Sequence, residues 1–359
     1  MAEIDYLYWL TALSFILSLG LTWLARAYAL HRGLMDRPNN RSSHLVETPR
    51  GGGIAFVLVY LLILIWSTVS PFSAGEQSDQ LNLTLLMGGG LVAVIGFVDD
   101  HRHVSVILRF AIHLIAAFIA VTMLQMPSVD VWPGLAIDGW WLKAVSVIGL
   151  VWLLNLYNFM DGIDGIAGLQ GISVLGGAVS ILLFNHAPSE AIDWLLVLAA
   201  CMAGFLFWNW PPAKIFMGDA GSGFIGYALG VFALYTAEAY SISLWSWLIL
   251  LGLFIVDSTW TLVVRILNGE RWYQPHAKHA YQHLARKRQS ECVNRGESAQ
   301  GCRTQAHRWV ILHGLLINLL WLLPLAWFAS VYPGYGLLLS LVAFVPLVIL
   351  ERSLGAGYE

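Results

Sequence analysis

The chain has 359 residues, 58% of them hydrophobic and 11% charged, with a net charge of −3. A soluble globular domain carries about a quarter charged residues, so the composition excludes one, and the near-neutral balance gives no support for nucleic acid as a partner. Apolar runs able to cross a hydrocarbon core of about 30 Å recur along the whole sequence. Inside lipid each must satisfy its own backbone hydrogen bonds, which makes each a helix.

In chain order the runs cover 6–26, 52–70, 81–98, 106–124, 141–157, 166–184, 193–210, 222–238, 244–265, 308–328 and 334–351. The expected fold is therefore all-α: a polytopic integral membrane protein of about eleven transmembrane helices. Residues 1–359 form a single transmembrane catalytic domain, with 266–307 as its large cytoplasmic loop. An odd number of spans puts the termini on opposite sides. With the N-terminus outside, 18 of the 19 Lys and Arg fall on inner segments and only Lys143 on an outer one. The positive-inside rule then sets the N-terminus periplasmic and the C-terminus cytoplasmic. Glu3 and Asp5 precede the first run without a basic segment, so no cleavable leader is expected. The three cysteines, Cys201, Cys292 and Cys302, suggest no disulfide framework, and the last two have the wrong spacing and ligand set for zinc.

The outer segments are short and carry almost no basic residue. The inner face holds five polar stretches. In RPNNRSSHLVETPRGGG (37–53), Arg37, Arg41, Ser42, Ser43, His44, Thr48 and Arg50 are phosphate-friendly groups, and the glycines at the helix start let backbone N–H groups approach an anion. An ordinary positive-inside loop reads the same way. GFVDDHRH closes the third run with Asp99 and Asp100, a pair that can hold a divalent cation, share a proton, or simply mark where a helix leaves lipid. NLYNFMDGIDG (155–165) places Asn158, Asp161 and Asp164 at the mouth of a span. Helix capping explains Asp164 better than it explains the other two.

KIFMGDAGSGFIG (214–226) sets Lys214 and Asp219 before a glycine-rich span, and Asp is also an ordinary N-cap. The fifth stretch runs from Arg265 through QPHAKHAYQH. His276 and His279 there are spaced for a metal, although Lys278 between them suits an anion better. Asp257, inside the ninth span, is functional by default because intramembrane carboxylates are costly. Singly, each stretch has a bland reading. Together they put Asp99, Asp100, Asp161, Asp164 and Asp219 on one face, ringed by cations. Carboxylates alone repel a phosphate, whereas with Mg2+ they bind a diphosphate well. The residues thus point to a Mg2+-dependent phosphoryl-group site at the inner membrane boundary.

FVDD, NFMDGIDG, KIFMGDAGSGFIG and RSSHLVETPRGGG resemble the polyprenyl-phosphate N-acetylhexosamine-1-phosphate transferases over residues 30–285, with the motifs in order and at helix ends. RSSH, TPRGGG and HAKHAYQH are similar to the WecA and WbpL side of that family rather than to MraY, which makes a muramoyl-pentapeptide substrate an unfavoured alternative.

The resemblance implies a multi-pass protein of the bacterial inner membrane with its active site facing the cytoplasm. It implies Mg2+, with Mn2+ as a substitute, a UDP-N-acetylhexosamine donor and an undecaprenyl phosphate acceptor. The products would be UMP and a lipid-linked sugar for O-antigen or another surface polysaccharide. Membrane lipids would be partners, nucleic acid would not, and a homodimer stays open.

On this reading Asp219 ligates the metal with Asp100. Asp99 is the base or, in a two-step route, the nucleophile. Asp100, Asp161 and Asp164 complete the catalytic surroundings with Asn158. Arg50, His44, Lys214, Arg265, His276 and His279 contact phosphates or sugar. Residues 288–304 have no expected role. A transporter using intramembrane carboxylates and a non-catalytic scaffold are the rival classes.

Overall fold

The computed structural model describes residues 2–38, 43–69, 76–102, 104–240, 242–271, 274 and 276–358. Among them the chain is helical apart from two small antiparallel ladders: Met35–Asp36 (β1) with Thr48–Pro49 (β2), and Val129–Trp132 (β3) with Leu135–Ile137 (β4). The helices are α1 (Ala2–Arg32), α2 (Gly53–Val69), α3 (Glu76–Thr84), α4 (Gly90–His101), α5 (Val106–Met123), α6 (Gly139–Met160), α7 (Ile166–Phe184) and α8 (Ser189–Asn209). They continue as α9 (Asp219–Ala239), α10 (Leu244–Leu250), α11 (Gly252–Leu267), α12 (Ala280–Val293), α13 (Ala299–Ile317), α14 (Leu323–Val331) and α15 (Gly336–Ser353).

Nine helical runs among the described residues are long and apolar enough to cross a membrane. The bent pair α10 and α11 is together long and apolar enough for a tenth, and α2 is a shorter apolar helix of 17 residues. These coincide with the eleven runs read from the sequence, and the chain is a polytopic all-α membrane protein. Two expectations need correction. The ninth run is broken, with α10 and α11 meeting at 73°. Gly252 opens α11 where a Cβ would stand 2.7 Å from the Phe344 ring, so α15 packs into the bend. Hydropathy is continuous across 244–265 and cannot reveal it. The segment 266–307 is likewise no simple loop, since α12 and the first turns of α13 occupy much of it.

The buried centre is α9, whose residues Ala220 through Thr236 are all buried. With almost no apolar driving force between helices in lipid, close backbone approach at small residues holds such a centre together. Three neighbours meet α9 in that way. A Cβ on Gly53 of α2 would lie 2.6 Å from the Gly221 Cα, one on Gly96 of α4 2.5 Å from the Ala220 N, and one on Gly226 of α9 2.7 Å from the Leu153 carbonyl of α6. Two of these contacts, those of α2 and α4, sit within three residues of the start of α9. They bring the ends of α2 and α4 around one helix N-terminus, while Gly226 seats α6 one turn further along. Away from this centre the helices present apolar side chains outward, among them Leu62, Ile107 and Leu320.

Candidate active site

The start of α9 organises the site. Gly218, with φ +80°, precedes the helix in a conformation only glycine adopts comfortably. The freed N–H groups of Asp219 and Ala220 donate to the Asp100 carboxylate at 3.1 and 3.4 Å, where the helix dipole favours negative charge. Asp100, expected as a metal ligand, is thus first of all the cap of α9 and keeps only its remaining lone pairs for a cation. Asp219 projects beside it. Its Oδ1 accepts from Asn158 Nδ2 at 2.8 Å and its Oδ2 from Arg109 at 3.0 Å. Asn158 also donates to Ser222, one turn into α9.

Arg109, on α5, was not among the residues singled out, yet it bridges two of them. One guanidinium nitrogen stands 2.6 Å from Asp99 Oδ2 and 3.0 Å from Asp219 Oδ2. Asp99 Oδ1 accepts the Val104 N–H at 2.8 Å. Both Asp99 oxygens are therefore engaged. An arginine in the apolar string VILRFAIHL was itself a signal, because such a charge in a span demands a partner.

The turn between α6 and α7 separates its two aspartates. Asp164 is fully held. Arg303 donates to its Oδ1 at 2.6 Å, the Ala213 N–H to its Oδ2 at 3.1 Å, and His307 Nδ1 stands 3.4 Å from Oδ2. Burial alone would raise this carboxyl, but its neighbours His307 and Arg303 and the Ala213 amide hold it below its ordinary range. Asn209 ties the same turn to the 213–217 segment, accepting from Gly165 N and donating to the Ile215 carbonyl. The Asp161 carboxylate has no hydrogen-bond or ion-pair partner among the described residues. Burial first, then the carboxylates of Asp219, Asp100 and Asp164, push it well above the usual carboxylate range.

The 43–53 segment closes the opposite wall. Gly52 and Gly53 donate to the Phe216 and Met217 carbonyls, and Phe216 N–H to the Pro49 carbonyl, so this segment and 216–217 are laced together. Arg50 reaches across to the Asp100 carbonyl at 2.6 Å. His44 is buried with its ring edge-on to Phe216. Arg41 and Ser42 lie outside the described residues.

These groups enclose two recesses. The larger, about 260 Å³, is lined by His44, Arg50, Asp161, Asp164, Asn158 and Arg303, with Asp100 and Asp219 at its edge. The smaller, about 170 Å³, is lined by Arg50, Asp99, Asp100, His101, Arg102 and Asp219. Arg50, Asp100 and Asp219 belong to both.

Four residues expected here are elsewhere. Lys214 is exposed and stands over the Trp208 and Phe207 rings at 5.2 and 5.9 Å. Arg265 pairs with Glu270 at 2.9 Å and donates to the Arg271 carbonyl, shaping the segment after α11. His279 places Nδ1 3.0 Å from Asp257 Oδ1, and Asp257 also accepts the Ala280 and Tyr281 N–H groups. The intramembrane carboxylate thus caps α12. His276 accepts the Lys278 N–H, and burial, then the charges of His279 and Arg265, lower its ring to about 3. His276 and His279 thus serve the loop and the cap of α12 and do not line the two recesses.

Cys292 and Cys302 are also corrected. They form a disulfide across the α12–α13 hairpin, with Cα atoms 5.5 Å apart, within bridging range. The turn between the helices brings them together, which linear spacing does not show, and no thiolate is left for zinc. The segment 288–304 has a role as well, because it delivers Arg303 to Asp164.

The donor set suits a hard divalent cation: carboxylate oxygens around one recess, one of them unpartnered and crowded by like charge. Asp161 and Asp219 are the residues that would hold it, and Asp100 lines the same recess.

The model of glycosyl transferase family 4 matches residues 82–237. A Bacillus subtilis protein described as a probable undecaprenyl-phosphate N-acetylglucosaminyl 1-phosphate transferase is 31% identical over 272 residues, 74% of this chain and 73% of the relative. The chain belongs to glycosyl transferase family 4. Another relative, the undecaprenyl-phosphate alpha-N-acetylglucosaminyl 1-phosphate transferase of Salmonella typhi, is 29% identical over 289 residues, 76% of each chain. The decaprenyl-phosphate N-acetylglucosaminephosphotransferase of Mycolicibacterium smegmatis is 31% identical over 224 residues, 58% of this chain and 55% of the relative. The family 4 match runs from α3 to α9 and contains Asp99, Asp100, Asn158, Asp161, Asp164 and Asp219. Arg50, His44, Arg303 and His307 lie outside it.

Proposed function

We propose that this family 4 chain transfers N-acetylhexosamine-1-phosphate from a UDP-N-acetylhexosamine to undecaprenyl phosphate and releases UMP. The reaction would take place on the cytoplasmic side of the bacterial inner membrane, as the first lipid-linked step of an O-antigen or another surface polysaccharide. The names of the relatives support the reaction class, and the Lys and Arg asymmetry supports the side. One observation carries the reading: two recesses, one lined by Asp161 and Arg303 and the other by Asp99 and Arg102, meet at Asp219 and Arg50. Two phosphorylated substrates entering them would meet there.

The larger recess takes the donor diphosphate and the smaller the lipid phosphate. A lipid phosphate oxygen attacks the phosphorus that carries the sugar. A new P–O bond forms, the bond from that phosphorus to the bridging oxygen breaks, and UMP departs with the electron pair. A phosphate monoester has a second pKa of about 6, so it reaches the site largely dianionic and needs little proton removal.

That observation favours direct transfer. Asp99, engaged through both oxygens, orients Arg109 toward Asp219 and the acceptor rather than attacking phosphorus itself. Arg50 and Arg102 supply positive charge to the acceptor, and Asn158 fixes the Asp219 carboxylate. Mg2+ held by Asp161 and Asp219 would neutralise diphosphate charge and stabilise the departing UMP. Positioning and charge neutralisation are what phosphoryl transfer asks of a protein.

Mass spectrometry of lipid extracts tests this. The detergent-purified full chain would be incubated with undecaprenyl phosphate, Mg2+ and each of several UDP-N-acetylhexosamines. An undecaprenyl diphospho-sugar from at least one donor, lost with EDTA, is expected. Folded protein that makes no such lipid from any donor would overturn the assignment.

A further inference from the structure

We propose that Arg303, set in place by Asp164 and Ser43, binds the phosphates of the nucleotide donor in the larger recess. The inference rests on the reading above and adds a residue outside the family match.

Arg303 comes from α13 and is nearly buried, with its side chain 7% exposed. Two of its donors have fixed partners. Nε donates to the Ser43 carbonyl at 2.6 Å, and one terminal nitrogen to Asp164 Oδ1 at 2.6 Å. A guanidinium carries five N–H donors in a rigid planar fork. The remaining donors have no partner among the described residues, and the side chain lines the 260 Å³ recess. Because Arg303 lines the recess, an acceptor there can reach the free edge of the fork. Paired phosphate oxygens match a guanidinium edge in shape and charge.

A second observation lies on the same wall. His44 follows Ser43, is 6% exposed, and its Nε2 has no hydrogen-bond partner among the described residues. By fixing the Ser43 carbonyl, Arg303 also places His44 against the recess. Arg303, His44 and the unpartnered Asp161 carboxylate therefore line one space. That is the arrangement for an anion bridged to a cation, with Arg303 and His44 on the anion's far side.

Asp164 takes a different role from the one its motif suggests. Both of its oxygens are engaged by Arg303, Ala213 and the neighbouring His307. It is a positioning residue for Arg303, whereas Asp161 is left open toward the metal.

The test is binding rather than turnover. UDP and, separately, uridine would be titrated calorimetrically against the detergent-purified full chain, as wild type, Arg303→Lys and Arg303→Gln. Each protein would first be shown monodisperse, with an unchanged thermal midpoint. UDP affinity is expected to fall about tenfold or more in both variants, with uridine affinity unchanged. In turnover, KM for the sugar nucleotide should rise more than kcat falls. Unchanged UDP affinity in a folded variant would overturn the proposal. So would an equal loss for UDP and uridine, which marks a purely structural arginine. A phosphate-selective loss in a chain that makes no lipid product would uphold Arg303 and reject the transferase reading, so the two fail separately.

Discussion

Asp219→Asn is expected to lower UMP release by roughly 10²- to 10³-fold, the range for removing one charge-stabilising group from a preorganised site. The substitution keeps the shape of the side chain. Asn158 can still meet the remaining oxygen, and Arg109 keeps Asp99 at 2.6 Å. The Asp100 cap on the Asp219 and Ala220 N–H groups uses backbone atoms and is untouched. What disappears is the negative charge of Asp219, which with Asp100 is shared by both recesses. The loss should therefore appear in kcat and in metal dependence, with the thermal midpoint in detergent nearly unchanged. Wild-type UMP release from Asp219→Asn would remove this carboxylate from the chemistry.

Gly218→Ala should have a large structural effect near the site. Gly218 has φ +80° and ψ 173°, a region essentially closed to residues with a Cβ. The added Cβ would stand 2.6 Å from Asp100 Oδ2. Backbone strain of this kind costs about 1–3 kcal/mol, and the clash adds to it by pushing Asp100 off the helix start it caps. Gly90→Ala is the matched control. Gly90 is helical, and nothing lies within 4 Å of its Cβ position. In a helix Ala is favoured over Gly by about 1 kcal/mol. Thermal unfolding in detergent should show a clear drop for Gly218→Ala, accompanied by loss of UMP release, and no drop for Gly90→Ala. Equal midpoints for the two variants would mean that the Asp100 cap does not hold the site together.

The bundle was legible because lipid leaves a chain few choices: an apolar run of sufficient length becomes a helix, whatever its neighbours do. The acidic face was legible for a related reason. Asp99, Asp100, Asp161, Asp164 and Asp219 are expensive at a membrane edge, so their recurrence at helix ends pointed to one place. The structure gathers them, with Asn158, Arg50 and His44, around the start of α9.

What could not be read is how residues of the same type divide between site and scaffold. His279 with Asp257 caps α12, Arg265 shapes the segment that follows α11, and Lys214 lies on aromatic rings of α8. Each sits in a polar stretch that looks like a phosphate contact, and only tertiary placement tells them apart. Arg303 shows the converse. It stands 139 positions from Asp164, inside a stretch with no local signal, and the disulfide-closed α12–α13 hairpin carries it there. The bend between α10 and α11 was hidden for yet another reason, because hydropathy measures the environment of a helix and not its axis.

The most direct measurement is UMP release from the purified wild-type chain, with the lipid phosphate and the metal varied independently. Release that requires undecaprenyl phosphate, Mg2+ and a UDP-N-acetylhexosamine together is the expected result, since the two recesses share Arg50, Asp100 and Asp219. UMP release that proceeds at the same rate without the lipid phosphate would contradict a site built for two phosphorylated substrates. It would leave the acidic cluster as a simple nucleotide-hydrolysing centre.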